Sequence, residues 1–569
     1  MRQLANFGRL QTVRMVSKIP KPSPVIVDEV DRLRAELAKT QLELLRVPKV
    51  GLVWEERVEQ AELDMHTRLP VLVAKPKLNV QGTMPSDRPH LLMEGDNLHA
   101  LTILQATHKG KIDVIYIDPP YNTGKEFIYN DKLIGEEHEW RHSAWLSFMD
   151  KRLRLARDLL ATQGILFISI DDNEQAKLTL LCDQIFGEAN RYAVIPVQSR
   201  TAYGIRPKPL LTNHEYVLAY TKGSPNLKGS ALSAKTLRTR YSETDEEGRR
   251  FYWRNFRFSN GSSHALTLEN GTVDHGPWQW EPVRTERAID EGIIRFRGSI
   301  VEFRQYPTLD PRPTGSFVNS RYVTGAGTRM LNAVLGTKRF ENPKATELLT
   351  DLIGLCASPE AIVLDFFAGS GTSAQAVATL NANDGGQRQA ILVTNNENGI
   401  CRKVTQPRIK AVLTGNWADG KTRDSLPGSL VYYQIDLLGK RSSPAAEREV
   451  LSKRAAEIVA CLENTHTLVK STDRYTLLTG DMRSAAIVPV YLYSDEYADT
   501  YAELQAELPE NTVTKTIYLF SGSDEPIAED IGDQFPGWDV RPLPATILAA
   551  MTRGIRAAAL RALRTDEED

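Results

Sequence analysis

The segment Ile115-Tyr116-Ile117-Asp118-Pro119-Pro120-Tyr121-Asn122-Thr123-Gly124 joins an apolar run to a set of groups that suit one kind of chemistry. Two consecutive prolines set the backbone and withdraw two amide donors. That leaves the Asp118 carboxylate and the carbonyls of Asp118 and Pro119 as acceptors. Tyr121 adds a flat ring close by. Acceptors for two N–H bonds beside a stacking face fit an exocyclic amino group on an aromatic base. The competing reading is a plain strand-terminal turn. Asp-Pro is common in such turns, but Asp-Pro-Pro-Tyr behind an apolar strand is far rarer.

A second loop lies well downstream: Ile362-Val363-Leu364-Asp365-Phe366-Phe367-Ala368-Gly369-Ser370-Gly371-Thr372-Ser373. Here a buried strand runs into a glycine-rich turn and then a helix of small residues. In doubly wound folds such a turn brings a nucleotide-type ligand against the strand ends, where a Cβ would be in the way. The alternative is a tight strand–helix turn with glycines for packing. The dinucleotide fingerprint Gly-x-Gly-x-x-Gly is not met, because Ala374 takes the third position. Alanine is sometimes allowed there, so spacing alone leaves a nicotinamide site open. No Gly-x-x-x-x-Gly-Lys-Ser/Thr phosphate loop is present.

The elements around these loops alternate. Apolar runs predict strands at His90–Glu94, Lys111–Ile117, Gly164–Ile170, Ala361–Phe366 and Ala390–Thr394. Amphipathic patterns predict helices at Ser143–Leu160, Glu174–Phe186, Lys344–Leu355 and Ser373–Leu380. Such alternation indicates a parallel α/β sheet covered on both faces. It lapses between about 196 and 335, where Gly, Pro, Ser and Asn are frequent. The expected organisation is an N-terminal helical or extended region (1–82), a first half-sheet (83–195), an insert (196–335), a second half-sheet (336–425) and a smaller α/β unit (426–569). That last unit should hold strands at Ala486–Tyr493 and Thr514–Phe520 and helices at Tyr497–Glu507 and Pro544–Leu563. A further helix is predicted at Val27–Val47, with Val30, Leu33, Leu37 and Leu44 at heptad-like spacing and Pro48 ending it. Intramolecular packing and a dimer contact are both open for it.

The chain has 569 residues, 41% hydrophobic and 25% charged, which argues against disorder and low complexity. No run of about 18 apolar residues predicts a membrane span. The first 24 residues are basic and acid-free, and a disordered tail is expected there rather than a transit peptide. Four dispersed cysteines (Cys182, Cys356, Cys401, Cys461) suit a reducing cytosol and give no metal-ligand spacing. The net charge of −2 conceals an asymmetry. Residues 196–339 hold 22 Lys+Arg against 13 Asp+Glu, whereas 426–569 hold 14 against 23. The basic segment includes Arg249-Arg250-Phe251-Tyr252-Trp253-Arg254-Asn255-Phe256-Arg257-Phe258. Arginines neutralise phosphates and rings stack on bases, so this composition suits nucleic acid. A core with a solvated basic face reads equally well.

Together the two loops resemble the amino-methyltransferases that methylate DNA bases. Their catalytic motif is Asp/Asn/Ser-Pro-Pro-Tyr/Phe, and their cofactor motif is similar to Phe-x-Gly-x-Gly. The catalytic loop precedes the cofactor loop, with the basic insert between them, an order that resembles the circularly permuted beta class. Asn342-Pro343-Lys344, Gly95-Asp96-Asn97 and His214-Glu215-Tyr216-Val217-Leu218 resemble further motifs of that class. Val53-Trp54-Glu55, Trp145 to Met149, Phe167 to Glu174 and Ile185 to Glu188 look like modification subunits of type III restriction systems.

The resemblance implies a Rossmann-like sheet with the insert as target-recognition domain, S-adenosyl-L-methionine as cofactor and no metal. It implies Asp118, Pro119, Pro120 and Tyr121 as catalytic. Asp365, Phe366, Phe367, Gly369, Gly371, Thr372, Glu397, Asp96 and Lys344 would serve the cofactor. Asp at the first catalytic position favours adenine N6, with cytosine N4 as the nearest alternative and RNA or protein amides more distant. A mainly DNA-reading subunit of a larger complex is the other class of reading. Ring-carbon methylation would call for a cysteine after proline, and none of the four follows one. Implied partners are double-stranded DNA and a helicase–nuclease subunit, with a homodimer open, in the cytoplasm.

Overall fold

The computed structural model describes residues 54–55, 57–82, 88–123, 141–200, 212–225, 241–306, 322–336, 340–421, 423–439, 455–472, 474–480, 482–489, 494–520 and 531–542. The basic tail and the helices expected at Val27–Val47 and Pro544–Leu563 lie outside them.

Among the described residues, nine strands form the central sheet. They are β1 (Arg68–Ala74), β2 (His90–Glu94), β3 (Ile112–Ile117), β4 (Leu160–Ile170), β5 (Arg191–Gln198), β6 (His214–Thr221), β7 (Ile362–Asp365), β8 (Gln389–Thr394) and β9 (Leu430–Gly439). Their spatial order is β1-β9-β2-β8-β7-β3-β4-β6-β5. The run from β9 to β4 is parallel, while β1, β6 and β5 pair antiparallel. The sheet is therefore mixed at its edges and parallel in the middle, where the near-continuous apolar strands lie. Each buried Val, Leu or Ile there contributes roughly 1.5–3 kcal/mol.

A short helix, α1 (Gln60–Thr67), precedes β1, and further helices cover both faces. On one side α6 (Thr346–Gly354), α7 (Thr372–Asp384) and α8 (Gln406–Thr414) bury Leu348, Leu352, Val377 and Ile409 against Leu92, Val114, Val363 and Leu392. Leu91, Met93, Ile115 and Leu364 alternate with that set and take the opposite face. There α2 (Asn97–His108) packs on α3 (Arg141–Leu159), and α3 on α4 (Gln175–Phe186). None of the helices among the described residues is long and apolar enough to cross a membrane.

The central sheet reaches beyond the two half-sheet segments expected from composition. β6 follows the rise in glycine and proline at 196, yet Tyr216–Thr221 pairs with Ile165–Ile170. β9 falls inside the expected C-terminal unit, yet it sits between β1 and β2. The helix α5 (Thr324–Leu335), inside the expected insert, buries Leu331 and Val334 against Val404 and Val412. Composition changes mark where loops lengthen, whereas sheet membership is decided by long-range pairing.

Among its described residues the insert keeps its own four-stranded antiparallel sheet, in the order Ile294–Arg297, Ile300–Gln305, Arg250–Asn255, Glu243–Thr244. Its aromatics divide between the two readings. Phe256 is fully buried and stacks on Trp278, and Phe251 is also buried, whereas Phe258 is exposed. The C-terminal unit is a five-stranded sheet, order Thr467–Ser471, Thr476–Thr479, Arg483–Pro489, Thr514–Phe520, Asp539–Pro542, flanked by helix Ser494–Glu507.

Because β9 is internal to the sheet, Tyr432→Ala should destabilise the sheet itself. Tyr432 is fully buried and its hydroxyl meets Glu94 and Cys401. The expected loss is about 3–5 kcal/mol, read as a lower urea midpoint in equilibrium unfolding.

Candidate active site

The chain proceeds from β3 to β4 on one side of the sheet and from β7 to β8 on the other. β3 and β7 are neighbours, so a crevice opens between their carboxyl ends, the place where ligands sit in open α/β sheets. Val363 pairs with Val114 and Leu364 with Ile115, so the loops that begin at Asp118 and Asp365 leave the sheet side by side. They open onto one cleft of about 890 Å³. Asp118, Pro119, Pro120 and Tyr121 line one part of it, and Gly95, Asn97, Phe366, Phe367, Gly369, Thr394 and Glu397 line another.

The Asp118 loop is held from three directions. The Trp145 indole donates to the Pro120 carbonyl at 2.7 Å, using an acceptor whose own chain direction the two prolines restrict. Asn122 takes a left-handed φ of 54° and donates to Glu174 at 2.5 Å. Glu174, fully buried, also receives His142. The third hold is ionic. The Tyr121 hydroxyl donates to Asp118 Oδ1 at 2.8 Å, and Lys344 Nζ lies 3.3 Å from the same oxygen. Lys344 also donates to both Glu215 oxygens at 2.9 Å and to the Tyr121 oxygen at 2.5 Å. Burial raises the Asp118 carboxyl above its usual range, Glu215 adds to this, and Lys344 opposes it. Burial works against the Lys344 ammonium, but Asp118 and Glu215 together outweigh it and raise its pKa.

The glycine-rich turn is built from its own side chains. Asp365 accepts the Phe367 amide at 3.0 Å and the Ser373 hydroxyl, and burial pushes its carboxyl up to about 7. Gly369 (φ 47°) and Gly371 (φ 78°) are left-handed. A Cβ at Gly369 would come within 3.1 Å of the Phe340 ring, and one at Gly371 within 3.1 Å of Thr405. The turn therefore needs glycine for conformation and for space. Beneath it Arg408, fully buried, donates to Ser370 Oγ at 2.9 Å, Thr372 Oγ1 at 2.8 Å and Gln375 at 2.9 Å. Burial lowers this guanidinium to about 9.

On the other wall Asp96 caps α2 by accepting the Leu98 amide at 2.7 Å. Asn97 donates to the Phe366 carbonyl at 2.9 Å and accepts from Arg152 at 2.6 Å, which ties α2 and α3 to the turn. Glu397 follows β8, half-buried on the cleft wall, with its carboxyl raised by burial.

The expected residues thus divide by location. Asp118, Pro119, Pro120, Tyr121, Phe366, Phe367, Gly369, Glu397 and Lys344 line the cleft. Asp365, Gly371, Thr372 and Asp96 stand behind it as supports. Lys344, expected beside the cofactor, has its ammonium on the Asp118 loop. Glu215, Arg408, Arg152 and Trp145 received no role from sequence. Glu215 lay within a quoted motif, but a lone carboxylate on a strand gives no sign of facing a loop 94 residues away.

A family model described as DNA methylase matches residues 112–405, which takes in both loops and the insert. The chain belongs to the DNA methylase family. Among curated relatives of this chain, the type III restriction-modification enzyme StyLTI Mod subunit of Salmonella typhimurium is 34% identical over 339 residues, covering 54% of this chain and 52% of the relative. The EcoPI Mod subunit of Escherichia phage P1 is 30% identical over 437 residues, covering 64% of this chain and 68% of the relative. The type II methyltransferase M.KpnI of Klebsiella pneumoniae is 33% identical over 336 residues, covering 53% and 79%. The chain spans about half the length of the StyLTI subunit.

The raised Asp365 carboxyl has a consequence for stability. Between its ordinary value of 3.8 and about 7 the folded chain keeps a proton that the unfolded chain has released. Asp365 therefore favours folding at low pH, and this contribution fades as pH rises through about 7. Asp365→Asn, which keeps the shape, should unfold with a flatter pH dependence than the unsubstituted chain across that window, as measured by urea midpoints at successive pH values.

Proposed function

We propose that this chain transfers the methyl group of S-adenosyl-L-methionine to the N6 amino group of adenine in double-stranded DNA, as the modification and recognition subunit of a type III-like restriction or phage-defence system. The observation that carries the reading is the single cleft in which the Asp-Pro-Pro-Tyr loop faces the glycine-rich turn across the β3–β7 crevice. Its volume is near the upper end of ligand pockets, about 300–1,000 Å³, as a cleft for two ligands requires.

The residues present fit the cofactor. Phe366, Phe367 and Gly369 offer an apolar wall with a glycine gap, and Glu397 offers a carboxylate beyond β8 for ribose hydroxyls. Asp365, Gly371 and Thr372 hold the turn, and Asp96 holds the start of α2. When bound, S-adenosyl-L-methionine supplies an electrophilic methyl group on a sulfonium centre. Asp118 and the Pro119 carbonyl accept the two N–H bonds of the target amine, which frees its lone pair from the ring. Tyr121 stacks on a base that has been flipped out of the duplex, since the cleft cannot reach a stacked one. In-line positioning then supplies much of the rate. The amine proton, acidified as the N–C bond forms, leaves to a carboxylate or water.

The basic insert supplies the DNA surface. Arg295 lies 4.1 Å over the Trp253 ring, and Arg254 and Arg297 are exposed on the same sheet. A partner subunit accords with relatives whose names make them Mod subunits of type III restriction-modification enzymes, and a helicase–nuclease as that partner, a homodimer and a cytoplasmic setting belong to the same proposal.

Labelled methyl transfer to plasmid DNA followed by base analysis tests the assignment. N6-methyladenine is expected, and N4-methylcytosine would sink the adenine reading. Asp118→Ala should lower the transfer rate by about 100-fold or more, as loss of a central acceptor does. Arg254→Ala with Arg297→Ala should weaken DNA binding and make its salt dependence shallower by about one unit of slope per lost phosphate contact.

A further inference from the structure

Three elements far apart in the chain deliver a charged cluster to the target-facing loop. Asp118 and Tyr121 come from the loop after β3, Glu215 from β6, and Lys344 from the turn before α6. Lys344 is not a loose surface cation. Asn342 turns the chain with a φ of 52°, and Gly327 of α5 presses on the following backbone so closely that a Cβ would fall 2.0 Å from the Pro343 carbonyl and 2.6 Å from that of Lys344. The ammonium stem leaves that fixed point with 11% exposure and ends among Asp118, Glu215 and Tyr121.

We propose that Lys344 and Glu215 are positioning residues for methyl transfer: Lys344 keeps Asp118 an ionised acceptor, and Lys344 with Glu215 fixes the Tyr121 hydroxyl and so the plane of its ring. The inference rests on the methyltransferase reading and concerns how its acceptor is kept in working form. A protonated Asp118 would present a donor to the amine where an acceptor is needed. The groups that face Asp118 are Tyr121 on its own loop, Tyr116 on β3, Asp365 at the end of β7, Glu215 on β6 and Lys344. Burial and Glu215 favour the protonated form, and Lys344 is the cation that opposes them, with the Tyr121 hydroxyl as a further donor. Glu215 accepts from Lys344 with both oxygens, which orients the ammonium so that it reaches Asp118 and the Tyr121 oxygen together.

Charge balance makes the roles separable. Single-turnover methyl transfer to duplex DNA, at saturating DNA and cofactor, would be followed against pH for the full chain and three variants. Lys344→Met should move the acidic limb to higher pH by about one unit or more and slow transfer about tenfold or more near neutrality. Glu215→Gln should move the limb the opposite way. Lys344→Met combined with Glu215→Gln should bring it back towards the starting position, a return that simple loss of packing would not produce. Circular dichroism and thermal midpoints establish that each variant folds. If Lys344→Met does not fold, the direction of the Glu215→Gln shift decides the matter. Variants that slow transfer equally at every pH, or that raise only the KM for cofactor, would overturn the inference while leaving the function intact. Absence of transfer by the unsubstituted chain would instead overturn the proposed function.

Discussion

The parallel pairing of β3 with β7 is the contact on which the rest of the site depends. The parallel register of Val114 with Val363 and of Ile115 with Leu364 brings together segments 249 residues apart. Both strands are buried on both faces, so neither can shift register without moving apolar side chains out of two cores at once. Everything at the cleft inherits its position from this pair. The Asp118 loop and the Asp365 turn emerge from adjacent strand ends, and the chain runs away from them in opposite directions. The gap between them is thus a consequence of topology before any side chain is considered.

Buried cations brace that gap. Arg408 lies under the glycine-rich turn with hydroxyl, amide and carbonyl acceptors around it. Arg152 ties Glu59, Asn97 and the Phe148 carbonyl together behind the opposite wall and lies 3.6 Å over the Phe148 ring. Burying a guanidinium is costly unless its donors are met, which is why each is surrounded by acceptors. The return is geometric. A planar fork with several donors fixes several loops at once, and a site that must align two reactants needs walls held by a supporting shell.

Electrostatics separates the parts of the chain by task. The insert carries excess Lys+Arg and the C-terminal unit excess Asp+Glu, so a near-neutral total coexists with a strongly basic region. Within the insert some charge is internally matched, as in Arg295 with Glu302 and Arg249 with Asp245. Among the described residues, Arg254 and Arg297 stay exposed on a sheet that also buries Phe303 in a core with Phe256 and Trp278. The same aromatic-rich sequence therefore supplies both a core and a basic surface, because strand alternation sends neighbouring residues to opposite faces.

The sequence by itself determined the strands and helices around the two loops, the glycine requirement at Gly369 and Gly371, and the grouping of Asp118, Pro119, Pro120 and Tyr121. These are local: apolar runs, turn chemistry and short spacings express themselves within a few residues. It also carried the resemblance to DNA amino-methyltransferases, because that class is marked by two contiguous motifs. It did not determine that β6 and β9 belong to the central sheet, that Lys344 reaches the Asp118 loop, or that Glu215 and Arg408 stand at the site. Those depend on which strands pair and which buried charges meet, and both are settled by contacts between distant segments. Only the tertiary structure decides them, since a lone Lys, Glu or Arg in the chain has no local pattern that names its partner.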